Sequence, residues 1–305
     1  MTSLTAILLL SPLIGTFLLL TCQNRSKKYS ILISNISILI SFLLSLSILY
    51  LYYSSNSSPH SINVLTFADI RLFSLYFGLY IDSLSLIMSS VVTSVSLLVH
   101  YYSISYMKHD QSFNRFFIYT NFFTFSMLLI VFSNNFLQLF IGWELVGLSS
   151  YLLIGFWIKK ESAISANYKA FLVNRVGDVG LLLGLCLILV SYSTTDYNQI
   201  FEIKNSIDMD RVDIFGYSFN SLSAICILLF IGAMAKSAQV PLQFWLPDSM
   251  EGPTPISALI HAATMVTAGI YMVARLSPLY ELTDGVLIFI LYIGSITAFF
   301  LGLVA

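Results

Sequence analysis

Apolar residues fall into long runs along this chain, separated by short polar stretches. Cut at charges, prolines and polar clusters, the runs predict helices at 4–21, 31–53, 82–106, 116–133, 135–157, 170–192, 221–246, 256–276 and 285–305. Each approaches the roughly 20 residues that a helix needs to cross a hydrocarbon layer about 30 Å thick. The fold class expected is therefore all-α, a polytopic transmembrane bundle of about nine crossings in which the seventh helix is interrupted. The longest connections, 54–81 and 193–220, are where short strands, extra turns or a surface helix are expected.

Composition agrees with lipid as the solvent: 57% of the 305 residues are hydrophobic and 10% charged, and the mean hydropathy is +0.86. A soluble domain carries roughly 25% charged residues. The net charge of −1 leaves no basic stripe, which excludes nucleic acid as a partner. Basic residues concentrate in alternate loops, with Arg25, Lys27, Lys28, Lys108, Arg115, Lys159, Lys160 and Lys169 on one side and Arg71, Lys204 and Arg211 on the other. The positive-inside rule then turns loops 22–30, 107–115 and 158–169 to the matrix or cytoplasm and puts the N-terminus outside. The acidic stretch Glu202 to Asp213 falls on the outer side. Met1 to Leu20 lacks a basic leader and an AxA-like cleavage site, so it is expected to be a retained helix. No Arg-rich transit segment is present, so a mitochondrial location would mean synthesis inside the organelle.

Four ionisable residues are read at mid-depth of predicted spans, where a charge costs at least about 2.5–3.5 kcal/mol. They are Glu144 in FIGWELVGLSSYLLIGFW, Asp178 in VNRVGDVGLLLG, Lys236 after LLFIGAMA, and His261 in PISALIHAATMV. A single such group can be a paired packing residue; four in one bundle point to proton transfer. Burial moves carboxylates and amines toward the range where a neighbouring charge decides protonation, so Glu144 and Lys236 could exchange charge states. Histidine titrates near neutrality, and His261 could pass a proton with Thr264 and Thr267. Asp178 is open to two readings, relay group or neutralising partner of Arg175 at i−3. In MAKSAQVPLQFWLPDSMEGPTP, Pro241 and Pro247 free backbone carbonyls, tolerated in lipid only where buried in protein or facing water. A proline-broken segment beside an intramembrane charge is a pointer to an ion site.

Other residues are expected to be structural: His100 and Tyr101 as an interfacial pair, Trp143, Trp157 and Trp245 as interface or packing groups, and Asp82 as an N-cap. His60 and His109 carry no signal. Cys22, Cys186 and Cys226 show no metal or redox spacing, and no GxGxxG follows a strand. Neither zinc, an iron–sulfur cluster, NADH nor flavin is expected on this chain.

The strings GLYIDSLS, RFFIYTNFFTFSMLLIVFSNNFLQLFIGWELVGLSSYLLIGFW, KAFLVNRVGD and GAMAKSAQVPLQFWLPDSMEGPTPISALIHAATMVTAGIYMVAR resemble the subunit 5 family of NADH:ubiquinone oxidoreductase, respiratory complex I. The resemblance runs over essentially the whole chain. It implies two inverted five-helix repeats, each with a discontinuous helix and a proton half-channel. Carried over by motif, Glu144 is the half-channel carboxylate, Asp178 with Arg175 its neighbouring charged pair, Lys236 the lysine of the broken helix, and His261 the link to the second half. Residues 1–115 are then three N-terminal helices, 116–276 the first repeat with its break near 237–247, and 285–305 the first helix of a second repeat. Family members are roughly twice as long, so the second repeat is expected on a separate polypeptide docked against 285–305. The location implied is the mitochondrial inner membrane, with the N-terminus facing the intermembrane space. Partners implied are other membrane-arm subunits, including a neighbouring antiporter-like one, and membrane lipids; NADH, FMN, iron–sulfur clusters and ubiquinone would belong to other subunits. Large subunits of multi-subunit sodium/proton antiporters share these motifs, which gives a transporter as a second expectation. A scaffold subunit without pumping is the third.

Overall fold

A computed structural model describes residues 1–21, 26–55, 57–70, 73–203, 211–214 and 217–304. Cys22, Arg25, Arg71 and Lys204 lie outside the described residues, as do Asp208 and Asp210 of the acidic stretch. The first six long helices are α1 (Thr2–Thr21), α2 (Lys27–Ser54), α3 (Ser83–Tyr106), α4 (Phe113–Val131), α5 (Phe136–Ile154) and α6 (Glu161–Tyr192). The short α7 (Tyr197–Ile203) precedes α8 (Ser221–Lys236), and the one-turn α9 (Trp245–Asp248) follows it. A 3-10 turn (Ser249–Glu251) leads into α10 (Thr254–Ala258), a π-helical stretch (Leu259–Ala263) and α11 (Met265–Arg275). The turn α12 (Ser277–Tyr280) and the long α13 (Asp284–Val304) complete the order. Among the described residues, eight segments are long and apolar enough to cross a membrane, with α10 through α11 counted as one.

The expected transmembrane bundle is what forms. The ninth crossing is α8, whose 16 residues rise about 24 Å, short of a full hydrocarbon layer. Both long connections contain hairpins: β1 (His60–Ile70) pairs antiparallel with β2 (Phe73–Ile81), and β3 (Arg211–Ile214) with β4 (Tyr217–Asn220). One boundary differs markedly. The sixth helix starts at Glu161 and not near 170, because charge ends an apolar run but not a helix, and Ala, Glu and Lys are good helix formers.

Loops alternate between two faces. On the basic face, Lys27 Nζ donates to the carbonyls of Lys108 (2.8 Å) and Asp110 (3.0 Å), and Trp157 Nε1–H to Asp110 Oδ2 (3.1 Å). Lys160 and Lys169 pair with Glu251 (2.5 Å) and Asp248 (2.6 Å), which brings the far end of the broken helix to the same face. On the other face, Asp82 caps α3 through a reciprocal bond with Ser85. Its carboxylate also receives both terminal nitrogens of Arg275, at 2.6 and 2.9 Å. Burial works to raise the Asp82 pKa, but the Arg275 and Ser85 bonds outweigh it and hold the group below the usual carboxylate range.

Between α1, α2, α3 and α4 the interior is polar as well as apolar. Ser30, Ser34, Ser37, Ser41 and Ser45 are buried along one stripe of α2. Ser41 meets Ser11 (2.6 Å), Ser45 meets Thr93 (3.0 Å), and Asn121 Nδ2 donates to Ser34 (2.9 Å). Small hydroxylated residues allow close helix approach in lipid and satisfy one another. His100 belongs to this interior and not to the interface: it is fully buried, with Nδ1 2.7 Å from the Ser96 carbonyl and Nε2 3.2 Å from Thr120 Oγ1. Tyr101, one residue on, is 75% exposed. Consecutive helical residues diverge by about 100°, so the expected His–Tyr pair does not form.

Candidate functional site

Lys236 is the last residue of α8, and its side chain is fully buried. The helix reaches it through close contact with α6. A methyl group on Gly177 would overlap the Ala235 side chain, so the absence of a Cβ lets the two backbones approach. Asp178, next to Gly177 in sequence, is thereby set 3.9 Å from the Lys236 ammonium. Lys236 Nζ has no hydrogen-bond partner among the described residues. Its head rests against Gly147 of α5, where an added Cβ would lie 2.9 Å from Nζ, and lies 5.8 Å from the Trp143 ring centroid.

Trp143, expected above to be an interface or packing group, links these groups. It is fully buried and donates its indole N–H to Asp178 Oδ1 at 2.8 Å. That bond orients the carboxylate, and the ring wall faces the ammonium, an arrangement that attracts a cation. Its position is set by tertiary packing, which gives no periodic signal in sequence. Trp245 has a comparable duty. Its Nε1–H donates to the Ala235 carbonyl at 2.9 Å, satisfying an acceptor in the last turn of the interrupted helix.

Arg175 does not pair with Asp178. It donates to Glu144 Oε2 at 2.5 Å. Trp143 and Glu144 are neighbours on α5 and diverge by about 100°; Asp178 bonds the first and Arg175 the second, so the two α6 residues take opposite flanks of α5. The Arg175 side chain is 44% exposed and that of Glu144 24%, against 4% for Asp178. Glu144 and Lys236 make no direct contact, but Glu144 is one turn from Gly147, on which the ammonium rests.

The break itself spans 237–244, with Ala238 at φ 51° and Pro241 within it. Pro247 lies in the one-turn α9. Ser237 Oγ donates to the Val266 carbonyl (2.8 Å), which ties the break to α11, and the Val240 N–H, left free by the missing helical turn, donates to Thr297 Oγ1 of α13 (3.1 Å). His261 falls in the π-helical stretch, an irregularity frequent at functional sites. Its Nε2 lies 3.1 Å from Ser249 Oγ, and Nδ1 has no hydrogen-bond partner among the described residues. The hydroxyls of Thr264 and Thr267 instead bond the carbonyls of Leu259 and Thr264. The expected His–Thr relay therefore gives way to a His–Ser contact.

A multi-spanning helix bundle with a broken helix, and a fully buried lysine–aspartate pair at the break, defines a membrane protein whose polar centre lies at membrane depth. Residues 133–305 match the NADH:quinone oxidoreductase/Mrp antiporter transmembrane family, and 67–117 match the NADH-ubiquinone oxidoreductase (complex I) chain 5 N-terminus. The chain belongs to this NADH:quinone oxidoreductase/Mrp antiporter family. It is 46% identical to NADH-quinone oxidoreductase subunit L of Neisseria meningitidis over 98% of this chain and 45% of that protein. It is 52% identical to NADH-ubiquinone oxidoreductase chain 5 of Marchantia polymorpha over 75% of this chain and 35% of that one. Among solved structures, the Mrp complex from Dietzia sp. DQ12-45-1b superposes with a TM-score of 0.75 at 26% identity, over 90% of this chain and 28% of the other. The chain thus spans less than half the length of the curated relatives it matches.

Proposed function

We propose that this chain is a membrane-arm subunit of a proton-translocating NADH:quinone oxidoreductase and supplies a proton half-channel. The observation that carries the reading is Lys236, a fully buried ammonium at a helix break whose one ion partner among the described residues is Asp178 at 3.9 Å. A buried ion pair is a poor stabiliser, since desolvation offsets its attraction, so a structural duty alone accounts badly for it. Asp178, oriented by Trp143, holds the resting ammonium. Glu144 changes its charge balance with Arg175 and acts on Lys236 across one turn of α5. His261 with Ser249 carries protons between the break and the basic face.

NADH, FMN, iron–sulfur clusters and ubiquinone belong, in this proposal, to other subunits, and this chain performs no redox step. The membrane is the mitochondrial inner membrane, with α1 beginning on the intermembrane-space side. α13, along which Val286 alone is buried, packs against a partner in the oxidoreductase assembly. The likeness to the Mrp complex supports a second reading, a sodium/proton antiporter subunit. Purification of the native assembly separates the two: NADH dehydrogenase subunits in its company support the first, and a set of small antiporter subunits the second.

A further inference from the structure

We propose that the cavity at the basic membrane face, between the ends of α4, α5 and α6, binds the phosphodiester head of an anionic glycerophospholipid. The cavity is about 300 Å³ and is lined by Arg115, Tyr119, Tyr151, Gly155, Asn167 and Tyr168, with Leu152, Phe156, Ile158 and Ile164 completing its wall. Arg115 is in the first turn of α4, Tyr151 in the last turn of α5, and Asn167 near the start of α6. All three therefore lie at headgroup depth on the face that also carries Lys159, Lys160 and Lys169.

Two polar groups in the cavity lack the partners that such groups normally have. Arg115 forms no ion pair with a carboxylate among the described residues. Its guanidinium stacks 4.8 Å from the Phe156 ring and spends one nitrogen, Nη2, on the Phe156 carbonyl at 2.8 Å. Asn167 is 8% exposed, and its side-chain oxygen has no hydrogen-bond partner among the described residues. Its amide nitrogen makes no hydrogen bond among the described residues, so this side chain can present an N–H to a phosphate oxygen.

The remaining wall suits a lipid better than a free anion. Ile158 is 63% exposed beside Leu152 and Ile164, an apolar lip on which acyl chains can lie. Tyr151 and Tyr168 have the amphipathic rings found at the membrane–water boundary. Guanidinium matches phosphate geometry, and the basic face of a membrane protein meets the leaflet whose anionic lipids attract such residues.

The test uses the purified native assembly, washed in mild detergent and examined by native mass spectrometry with added phosphatidylglycerol, phosphatidylcholine or inorganic phosphate. The wild type is expected to retain a phosphatidylglycerol adduct at concentrations where phosphatidylcholine is not retained, with inorganic phosphate failing to displace it. Arg115→Gln should weaken retention about tenfold, the effect of losing one charge-assisted hydrogen bond. Asn167→Asp, nearly isosteric, should weaken it by placing a negative charge opposite the phosphate, and tests the site even if Arg115→Gln fails to assemble. Equal retention by wild type and Asn167→Asp overturns the proposal, as does equal binding of phosphatidylcholine. Displacement by inorganic phosphate would identify a free-anion site and overturn it too, as would a protein cross-link filling the cavity in place of lipid.

Discussion

Gly147→Ala perturbs the buried charge pair while leaving every charged residue in place. The new methyl would lie 2.9 Å from Lys236 Nζ, the mobile end of a long side chain. Ordinary contact requires roughly 3.5–4.0 Å, so the ammonium must retreat by roughly 0.5–1 Å. If the retreat is away from Asp178, the 3.9 Å separation grows toward about 5 Å, and at an effective dielectric of about 20 the attraction weakens by about 1 kcal/mol. A transfer step that depends on this attraction slows about fivefold. Because the displaced atom is a chain end, packing is little disturbed, and the melting temperature should change by no more than about 2 °C. The assay is proton uptake by proteoliposomes of the assembled complex at matched NADH oxidation, beside a melting curve. Wild-type proton uptake by a fully assembled Gly147→Ala complex would refute the reasoning.

Gly177→Ala differs in kind, because the overlapping group is the Ala235 methyl on a packed helix; overpacking of about 1–3 kcal/mol should lower the melting temperature and proton uptake together. Arg275→Ala strands the mostly buried Asp82 carboxylate and should cost about 3–5 kcal/mol, visible as lost assembly on native gels. Trp245→Phe removes one of the two donors to the Ala235 carbonyl and leaves the Ala238 N–H at 3.2 Å, so a loss of about 0.5–1.5 kcal/mol should appear in thermal melts. The pH dependence of stability follows from Asp82. Its folded pKa is held below the ordinary value of 3.8, so its contribution is fully present above that value and is lost as pH falls through the folded pKa. Acidification below about pH 4 should therefore lower the wild-type melting temperature more than that of Asp82→Asn, and parallel curves would count against the assignment.

Apolar run length was enough to place the spans, since lipid demands long apolar helices with internally satisfied backbones. The ends of the interrupted helix were legible too, because Pro241 and Pro247 follow an intramembrane lysine. Partner choice was not. Arg175 is close to Asp178 in sequence, yet it pairs with Glu144 on another helix, and the approach of α6 to α8 at Gly177 sends Asp178 to Lys236 instead. His100 near a helix end resembled an interfacial group, but the hydroxyls that bury it come from α3 and α4 together. Trp143, Trp245 and Arg275 matter through contacts 35, 10 and 193 residues away in sequence, beyond the reach of any local pattern. The helical start at Glu161 was missed for a different reason, since α6 extends past the apolar run that marked it.

Lys236→Met tests the central claim most directly, because it removes the ammonium while keeping an unbranched side chain in the same space. The measurement is protons translocated per NADH oxidised by an assembled complex in sealed vesicles, with assembly verified separately. The account predicts a lower ratio in a complex that still assembles. An unchanged ratio would contradict it and leave Lys236 and Asp178 as packing groups.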